Sequence, residues 1–497
     1  MGLFRRAIGP TLVIAILVAA ALQPGCGGST GSSSSPAKPP APQPSPATTS
    51  QDKAITAFAF LSSNNPIPTK SVGTITGTSI SVFLPPGTDR SGLTATFTAP
   101  ADAVVTVGSM SQVSGVTANA FNGPVEYTVH AADGTAATFI VTLTTDIASI
   151  DNVVAAFMST YNVPGLSLAI TKDENLAYVK AYGRADDRRQ ASATDLYRIA
   201  SLSKPLTSVA IMRLVDESRL SLDQRVFGAG AILGTRYGTQ PYRPGITDIT
   251  VDQLLHHTGG GWTNDNADPM FTNPEMSIGN LISWTLDNRP LTNSPGTSYA
   301  YSNFGYVVLG RVIEQVTGMP YAEAVRLLVL QPAGVRDMVI AGNTLADRVP
   351  NEVQYYSQGD GNPYAFNVAR MDAHGGWLAS ATDLARFLVR VDGLPGKMDI
   401  LSADAIRLMT TGSAANPSYA AGWSVNGPNW WHTGGLPGTA TEQARTTSSG
   451  NFNFVILTNT RSQSPAFVPD MDQLFWRALQ ATSAWPSYDL FTPQGGS

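Results

Sequence analysis

The chain has 497 residues with 31 basic and 36 acidic side chains, a formal charge of −5 with no long run of either sign. It therefore lacks the basic footprint that binding to nucleic acid requires. Its single cysteine, Cys26, excludes a structural disulfide, and its length predicts two folded units, since domains usually hold roughly 100–200 residues.

The first stretch, MGLFRRAIGPTLVIAILVAAALQPGCGGS, places Arg5 and Arg6 before an apolar run and Cys26 directly after it. That run has signal-peptide length, roughly a dozen residues, whereas a membrane span needs about 20. Residues 1–26 are thus expected to be a signal, and the position of Cys26 resembles the lipid-attachment cysteine of bacterial lipoprotein signals. Gln23 and Pro24 stand where such signals carry small or aliphatic residues, so simple secretion or an uncleaved anchor stays open. Either route predicts an extracytoplasmic protein.

Residues 27–53 are rich in Ser, Pro and Gly and hold nothing from which to build a core, as in a tether. Over residues 54–146 the pattern turns to short β-rich runs, AITAFAF, TSISVFL, LTATFTA, AVVTVG, VEYTVHA and TFIVTLT, separated by turn residues. This predicts a small all-β sandwich, similar in pattern to cadherin-like or immunoglobulin-like surface modules. Its one histidine, His130, has no acid or nucleophile grouped with it, so a spacer or binding role is expected, with its partner open.

From residue 147 to about 485 helices and strands mix. IASIDNVVAAFMSTY has a helical apolar period, and GLSLAITKDENLAYVKAYGRAD reads as two strands about the turn at Asp173–Asn175. Helical patterns recur at LTSVAIMRLVDE, NFGYVVLGRVIEQVTG, YAEAVRLLVLQPAG, ATDLARFLVRV and AFVPDMDQLFWRALQ, and β-like runs return late, at TATEQARTT and NFNFVILTN. Strands at both ends with helices between predict one sheet closed by distant segments around a helical insertion.

Three stretches carry candidate chemistry. In YRIASLSK, Ser201 and Lys204 are three apart where a helix begins, so their side chains share a face. A lysine whose proton affinity is lowered can take the serine proton, and the helix start favours negative charge beside the oxygen. The same spacing at Ser35 and Lys38 in the tether shows how cheaply it arises; without chemistry, Ser201 would cap the helix and Lys204 would be solvated. In PGTSYAYSNFGYVVLG, Tyr301 and Asn303 precede an apolar helix; they can share proton transfer and hold a substrate carbonyl, or simply pack and cap. In NWWHTGGLPGT, His432, Thr433, Gly434 and Gly435 offer a strand edge that a substrate backbone can approach. The second His-Thr-Gly, at His257, follows a helical pattern and reads as a helix end with a glycine stop.

Taken in order, these motifs resemble those of the serine β-lactamase and penicillin-binding superfamily. The Tyr-x-Asn form is that of class C β-lactamases, D-alanyl-D-alanine carboxypeptidases, D-aminopeptidases and lactamase-fold esterases. TVDQLLHHTGG and DAHGGWLASATDLARFL are similar to two connecting segments of that family, so the resemblance spans about residues 150–480. It implies an α/β (α+β) domain with an antiparallel sheet and a helical subdomain, and an enzyme needing no cofactor or metal. Ser201 would be the acyl-forming nucleophile and Lys204 with Tyr301 the acid and base, with the order of proton transfer open. Asn303 would orient the substrate, His432 and Thr433 would line the strand on its far side, and Gly434 and Gly435 would belong to the same strand, with the N–H groups of Ser201 and Gly435 as the oxyanion hole. Histidine in place of the usual lysine of the third motif resembles the carboxypeptidase and aminopeptidase branch and speaks against efficient antibiotic hydrolysis.

The expected substrate is a peptide-like amide or a small ester, with pocket walls from loops such as GGGWTNDNADPMFTNPEMS. A fold kept only as a surface binding module is the contrary reading, opposed by the intact Ser201, Lys204 and Tyr301. A metal-dependent hydrolase finds no His-x-x-x-His or His-x-His set among the five histidines.

Overall fold

A computed structural model of the chain describes residues 50–145, 147–265 and 267–491; the expected signal, Cys26 and most of the tether lie outside them. Nine strands come first: β1 (Ala57–Phe60), β2 (Ser71–Thr76), β3 (Ser79–Phe83), β4 (Leu93–Thr98), β5 (Val104–Val107), β6 (Met110–Ser111), β7 (Ala118–Asn119), β8 (Val125–His130) and β9 (Ala136–Thr144). Alternation drives them: in β9 only Phe139, Val141 and Leu143 are buried. The strands run β6-β5-β8-β9-β3-β2-β1-β4-β7, with β3 and β9 parallel and every other pair antiparallel. Phe58 of β1 and Tyr127 of β8 meet edge to face at 5.2 Å although β9, β3 and β2 separate their strands. The sheet must therefore double over on itself, which makes the expected sandwich.

The remaining chain builds three further sheets, of six, three and two strands, the largest with helices on both faces. Its strands are β10 (Gly165–Lys172), β11 (Asn175–Gly183), β12 (Tyr197–Arg198), β13 (Val339–Ile340), β14 (Tyr356–Ser357), β15 (Trp377–Ala379), β16 (Ser424–Val425), β17 (Asn429–Leu436), β18 (Thr439–Thr446), β19 (Phe452–Thr458) and β20 (Thr460–Arg461). Six of them make an antiparallel sheet in the order β11-β10-β19-β18-β17-β16, so the earliest and latest strands pair as expected. The helices are α1 (Ala148–Tyr161), α2 (Ser203–Asp216), α3 (Val251–Leu255), α4 (Ile278–Asn288), α5 (Asn303–Thr317), α6 (Tyr321–Val325), α7 (Ala381–Leu388), α8 (Ala403–Met409) and α9 (Phe467–Ala481). Apolar residues of α1 and α9 cover one face of the six-stranded sheet, while α2, α5 and α7 belong to the large core on the other.

Helix α2 is buried on every side from Ser203 to Met212, as a central helix must be. The turn before it, Ala200–Leu202, is a short 3₁₀ segment in which Ala200 takes a left-handed φ of 49°. Three contacts hold the residues leading into this turn, two from β18 and one from β15. Thr439 Oγ1 donates to the Arg198 carbonyl (3.1 Å), Thr441 Oγ1 to the Ile199 carbonyl (2.9 Å), and the Ile199 N–H to the Trp377 carbonyl (3.0 Å). Gly434 permits the approach: a Cβ there would lie 2.5 Å from the Ile199 carbonyl oxygen and 2.3 Å from Thr441 Oγ1. The sequence thus brings Ser201 to the edge of β17.

The C-terminal segment ties back to the sandwich. Val72 N–H donates to Ser487 Oγ (2.9 Å) and the Asp489 N–H to Thr69 Oγ1 (3.0 Å), while the Asp489 carboxylate accepts from Lys397 Nζ (2.8 Å) and the Leu176 N–H (2.9 Å).

Candidate active site

Ser201 and Lys204 meet as their spacing requires, with Lys204 Nζ 3.0 Å from Ser201 Oγ. The same Nζ donates to Asn303 Oδ1 (2.7 Å) and to the His374 carbonyl (3.1 Å), and lies 4.6 Å from the centre of the Tyr301 ring. Lys204 is fully buried. Burial holds its pKa well below the ordinary lysine value, and the nearby Asp268 carboxylate pulls the other way.

Tyr301 and Asn303 stand where α5 begins. The helix is capped by Ser302, whose Oγ accepts from the Gly305 N–H at 3.1 Å, so Asn303 is released from the capping role its position suggested. Its amide is fixed at both ends. Oδ1 takes the lysine, and Nδ2 donates to Asp268 Oδ2 at 2.7 Å. Its backbone N–H goes to Asn264 Oδ1 (3.0 Å). Burial raises the pKa of Asp268, opposed by the N–H of Met270, the Asn303 amide and Lys204. Burial also pushes the Tyr301 phenol far up, against a hydrogen bond with Ser201 that favours the phenolate.

His432 joins this group through a directed chain of hydrogen bonds. The Ser302 N–H can only donate, and it donates to His257 Nδ1 at 3.1 Å. His257 in its neutral form must then carry its proton on Nε2, which lies 3.1 Å from Tyr419 Oη. Tyr419 in turn donates to His432 Nε2 (3.1 Å), leaving His432 Nδ1–H to donate to the Thr433 carbonyl (2.6 Å). Burial, reinforced by the charge of Lys204, lowers the pKa of His432 to about 3 and takes His257 well below the usual histidine value. Both imidazoles are neutral.

The structure corrects the expectation for His257. A helix does end beside it, but the left-handed residue is His257 itself, with φ of 56°, rather than a glycine. Its ring packs 4.2 Å from that of Tyr301 and links the second motif to the third. Thr433 also falls elsewhere. Successive strand residues point to opposite faces, so Thr433 turns away from His432 and lines a separate cavity on the reverse of β17.

A cleft of about 340 Å³ opens over Ser201, lined among others by Asn303, His374, Gly435, Phe271 and Arg461. Asn264 and Phe271 come from the loop expected to supply pocket walls. Gly435 lies on the β17 side, where an added Cβ would come 3.0 Å from Arg461 Nη1. Arg461 Nε is 3.3 Å from Asp360 Oδ2. Asp268, His374, Tyr419 and Arg461 were not singled out from the sequence. DAHGG, which holds His374, and the expected pocket loop, which holds Asp268, were the signals; Tyr419 and Arg461 reach the site through contacts that no local pattern encodes.

The Beta-lactamase family profile matches residues 150–474, and one described as SGBP, N-terminal, matches residues 55–143. A putative D-alanyl-D-alanine carboxypeptidase of Escherichia coli K12 is 27% identical over 314 residues, covering 53% of this chain and 68% of that protein. Esterase EstB of Burkholderia gladioli is 29% identical over 307 residues, 54% of this chain and 73% of the esterase. Among solved structures, the D-amino acid amidase of Ochrobactrum anthropi in complex with L-phenylalanine amide aligns with a TM-score of 0.56 at 21% identity, covering 67% of this chain and 97% of the amidase. The octameric penicillin-binding protein homologue of Pyrococcus abyssi aligns with a TM-score of 0.53 at 23% identity, covering 67% and 77%. At these identities the structural likeness speaks for the fold, and the profile match over most of the chain settles the family. The chain belongs to the beta-lactamase family of serine hydrolases.

Proposed function

We propose that Ser201 attacks the carbonyl of a peptide-like substrate, forms an acyl-enzyme and releases the acyl group to water, in the manner of a carboxypeptidase. The observation that carries this is the fully buried Lys204 amine, 3.0 Å from Ser201 Oγ and held low in proton affinity by that burial. As the free base, Lys204 takes the serine proton as the Oγ–carbonyl bond forms. Tyr301, kept as a neutral phenol and hydrogen-bonded to Ser201, hands a proton to the departing nitrogen or oxygen. Asn303 positions the lysine through Oδ1 and gives one Nδ2–H to Asp268, and its second Nδ2–H is the donor offered to the substrate. The Ser201 and Gly435 N–H groups receive the developing oxyanion.

Arg461 favours the carboxypeptidase reading over an esterase. With His432 neutral, the third motif brings no charge to the cleft, and the Arg461 guanidinium beside Gly435 is suited to a substrate carboxylate. The relative from Escherichia coli named for D-alanyl-D-alanine supports this; EstB supports the ester alternative. We also propose that the enzyme acts outside the cytoplasm, held through lipid on Cys26, with the sandwich as a spacer or surface-binding arm. The match to an SGBP N-terminal profile supports that role for the sandwich.

Incubation with benzylpenicillin or 4-nitrophenyl acetate should acylate the wild-type protein, and intact-mass spectrometry reads the adduct. Ser201→Ala should remove it, and Lys204→Met should slow its formation by about 10²–10⁴-fold; undiminished labelling in either variant ends the mechanism.

The acylation rate should fall on the acid side as Lys204 gains its proton. Asp268→Asn removes the carboxylate that favours the ammonium, so the acid limb should move to lower pH by about one unit. A limb that stays put, or moves up, contradicts Lys204 as the titrating base.

Arg461→Ala should raise KM by about tenfold or more for a peptide ending in a free carboxylate and leave 4-nitrophenyl acetate turnover nearly unchanged. Equal losses on both substrates would remove the carboxylate anchor.

For the anchor, mass analysis of the protein purified from membranes should show a lipid-modified Cys26 at the mature N-terminus, and Cys26→Ser should free the protein from the membrane fraction. An unmodified cysteine in the mature chain overturns lipidation.

A further inference from the structure

The cleft over Ser201 has one apolar wall that the proton transfers leave without a role. Phe271 lines it and is 49% exposed. A single exposed aromatic side chain on a protein surface is ordinary. This one stands beside the nucleophile, and the residues that fix it also serve the site.

Phe271 ends a short 3₁₀ turn, Pro269–Phe271, capped by Asp268, whose Oδ1 accepts from the Met270 N–H at 2.9 Å. The other oxygen of the same carboxylate accepts from Asn303 Nδ2 at 2.7 Å. One side chain thus fixes both the amide that holds Lys204 and the turn that presents the ring. The loop around this turn is filled by Arg370, which is only 6% exposed. Its Nη2 donates to the Met270 carbonyl (2.8 Å), and its Nη1 donates to the carbonyls of Asn273 (2.7 Å) and Met276 (3.0 Å). A planar guanidinium bonded to carbonyls before and after Phe271 leaves the backbone between them little freedom.

The ring itself is braced. It meets Phe366 edge to face, with centres 6.5 Å apart and planes at 72°. Phe366 packs in turn on the small cluster of Ala200, Met371 and Leu436, of which Ala200 and Leu436 line the cleft with Ser201. Apolar contacts therefore link Phe271 to the end of β17. A fixed apolar wall beside a few placed polar groups recognises an apolar side chain well, because little ordering is needed when contact is made. The cleft has room for one: its volume of about 340 Å³ exceeds the ~150 Å³ that suffices to hold a benzene ring.

The surroundings of Phe271 select which part of the substrate it meets. Asp268 ties it to Asn303, whose second N–H is offered to the substrate. Arg461, beside Gly435, is taken in the reading above by the carboxylate of the departing residue. The residue that stays on Ser201 as the acyl group is then the one left for Phe271.

We infer that Phe271 is the specificity wall for the acyl residue and that the substrate carries a bulky apolar side chain there, of the size of a phenyl ring. The inference rests on the acylation of Ser201 proposed above and names the substrate class that this site serves.

Two esters with one leaving group, 4-nitrophenyl 3-phenylpropanoate and 4-nitrophenyl acetate, differ only in the acyl part. With the full chain, the ratio of their kcat/KM values, phenylpropanoate over acetate, should fall about tenfold or more from wild type to Phe271→Ala, and Phe271→Leu, which restores apolar bulk, should keep most of it. Because Phe271 is half exposed, neither substitution opens a cavity in the core. Ester turnover that survives in Ser201→Ala would end the reading of the cleft on which the inference rests. Turnover that needs Ser201 but shows the same ratio in wild type and Phe271→Ala overturns the acyl wall alone.

Discussion

The active site depends on how one ammonium group is buried. Lys204 sits inside the protein with no carboxylate touching it; its acceptors are a hydroxyl, an amide oxygen and a backbone carbonyl. A charged amine in that position is expensive, and the protein relieves the cost by letting the group give up its proton more readily. Asp268 is near enough to be felt but is separated by the Asn303 amide, which passes a hydrogen bond to each side. Direct contact with Asp268 would favour the ammonium and spoil the base. With no carboxylate near, nothing would offset the burial when the proton arrives. The intervening amide sets a middle course, and Asn303 needs both of its polar atoms to do so.

The rest of the site keeps that balance by staying neutral. Because the Ser302 N–H can only donate, the chain through His257 and Tyr419 to His432 has one direction and one set of tautomers. Each histidine in it is buried and held uncharged, so no second cation competes with Lys204. The chain also locks the start of α5 to β17, segments separated by more than a hundred residues. The geometry of the second motif is thereby tied to that of the third.

What the sequence made legible follows from how local each signal was. Ser201 and Lys204 could be paired from helix spacing alone, and Tyr301 and Asn303 placed by the helix that begins there, although the residue that caps it is Ser302. The strand runs of the sandwich showed their alternation, except β2, where Gly73 and the threonines of SVGTIT leave too few apolar residues to mark it, and β6 and β7, which at two residues each carry no period. Helix α4, SIGNLISWTLDN around its cap, was likewise passed over inside a loop-like stretch. His257 was read correctly as lying at a helix end and wrongly as having no further part, because its partners Tyr419 and Ser302 are distant in sequence. Asp268 lay in the loop expected to wall the pocket without being singled out from it, and Arg461 had no periodic or motif context at all. Thr433 shows the opposite failing: a motif read as a unit places neighbouring residues together, while a strand sends them to opposite faces.

The histidine of the third motif acquires a physical meaning in this setting. Lys204 already depresses the proton affinity of His432, so the two side chains share an electrostatic environment. A lysine at 432 would add a second charge to it, and each ammonium would disfavour the other. His432 avoids that conflict: it stays neutral, accepts a hydrogen bond from Tyr419 and donates one to Thr433. On the proposed reading, positive charge for a substrate comes from the half-open rim, from Arg461, whose side chain is 36% exposed and screened by water and by Asp360. That reading puts the charge beside the proposed nucleophile and the charge offered to the substrate on different elements, one buried and one at the periphery.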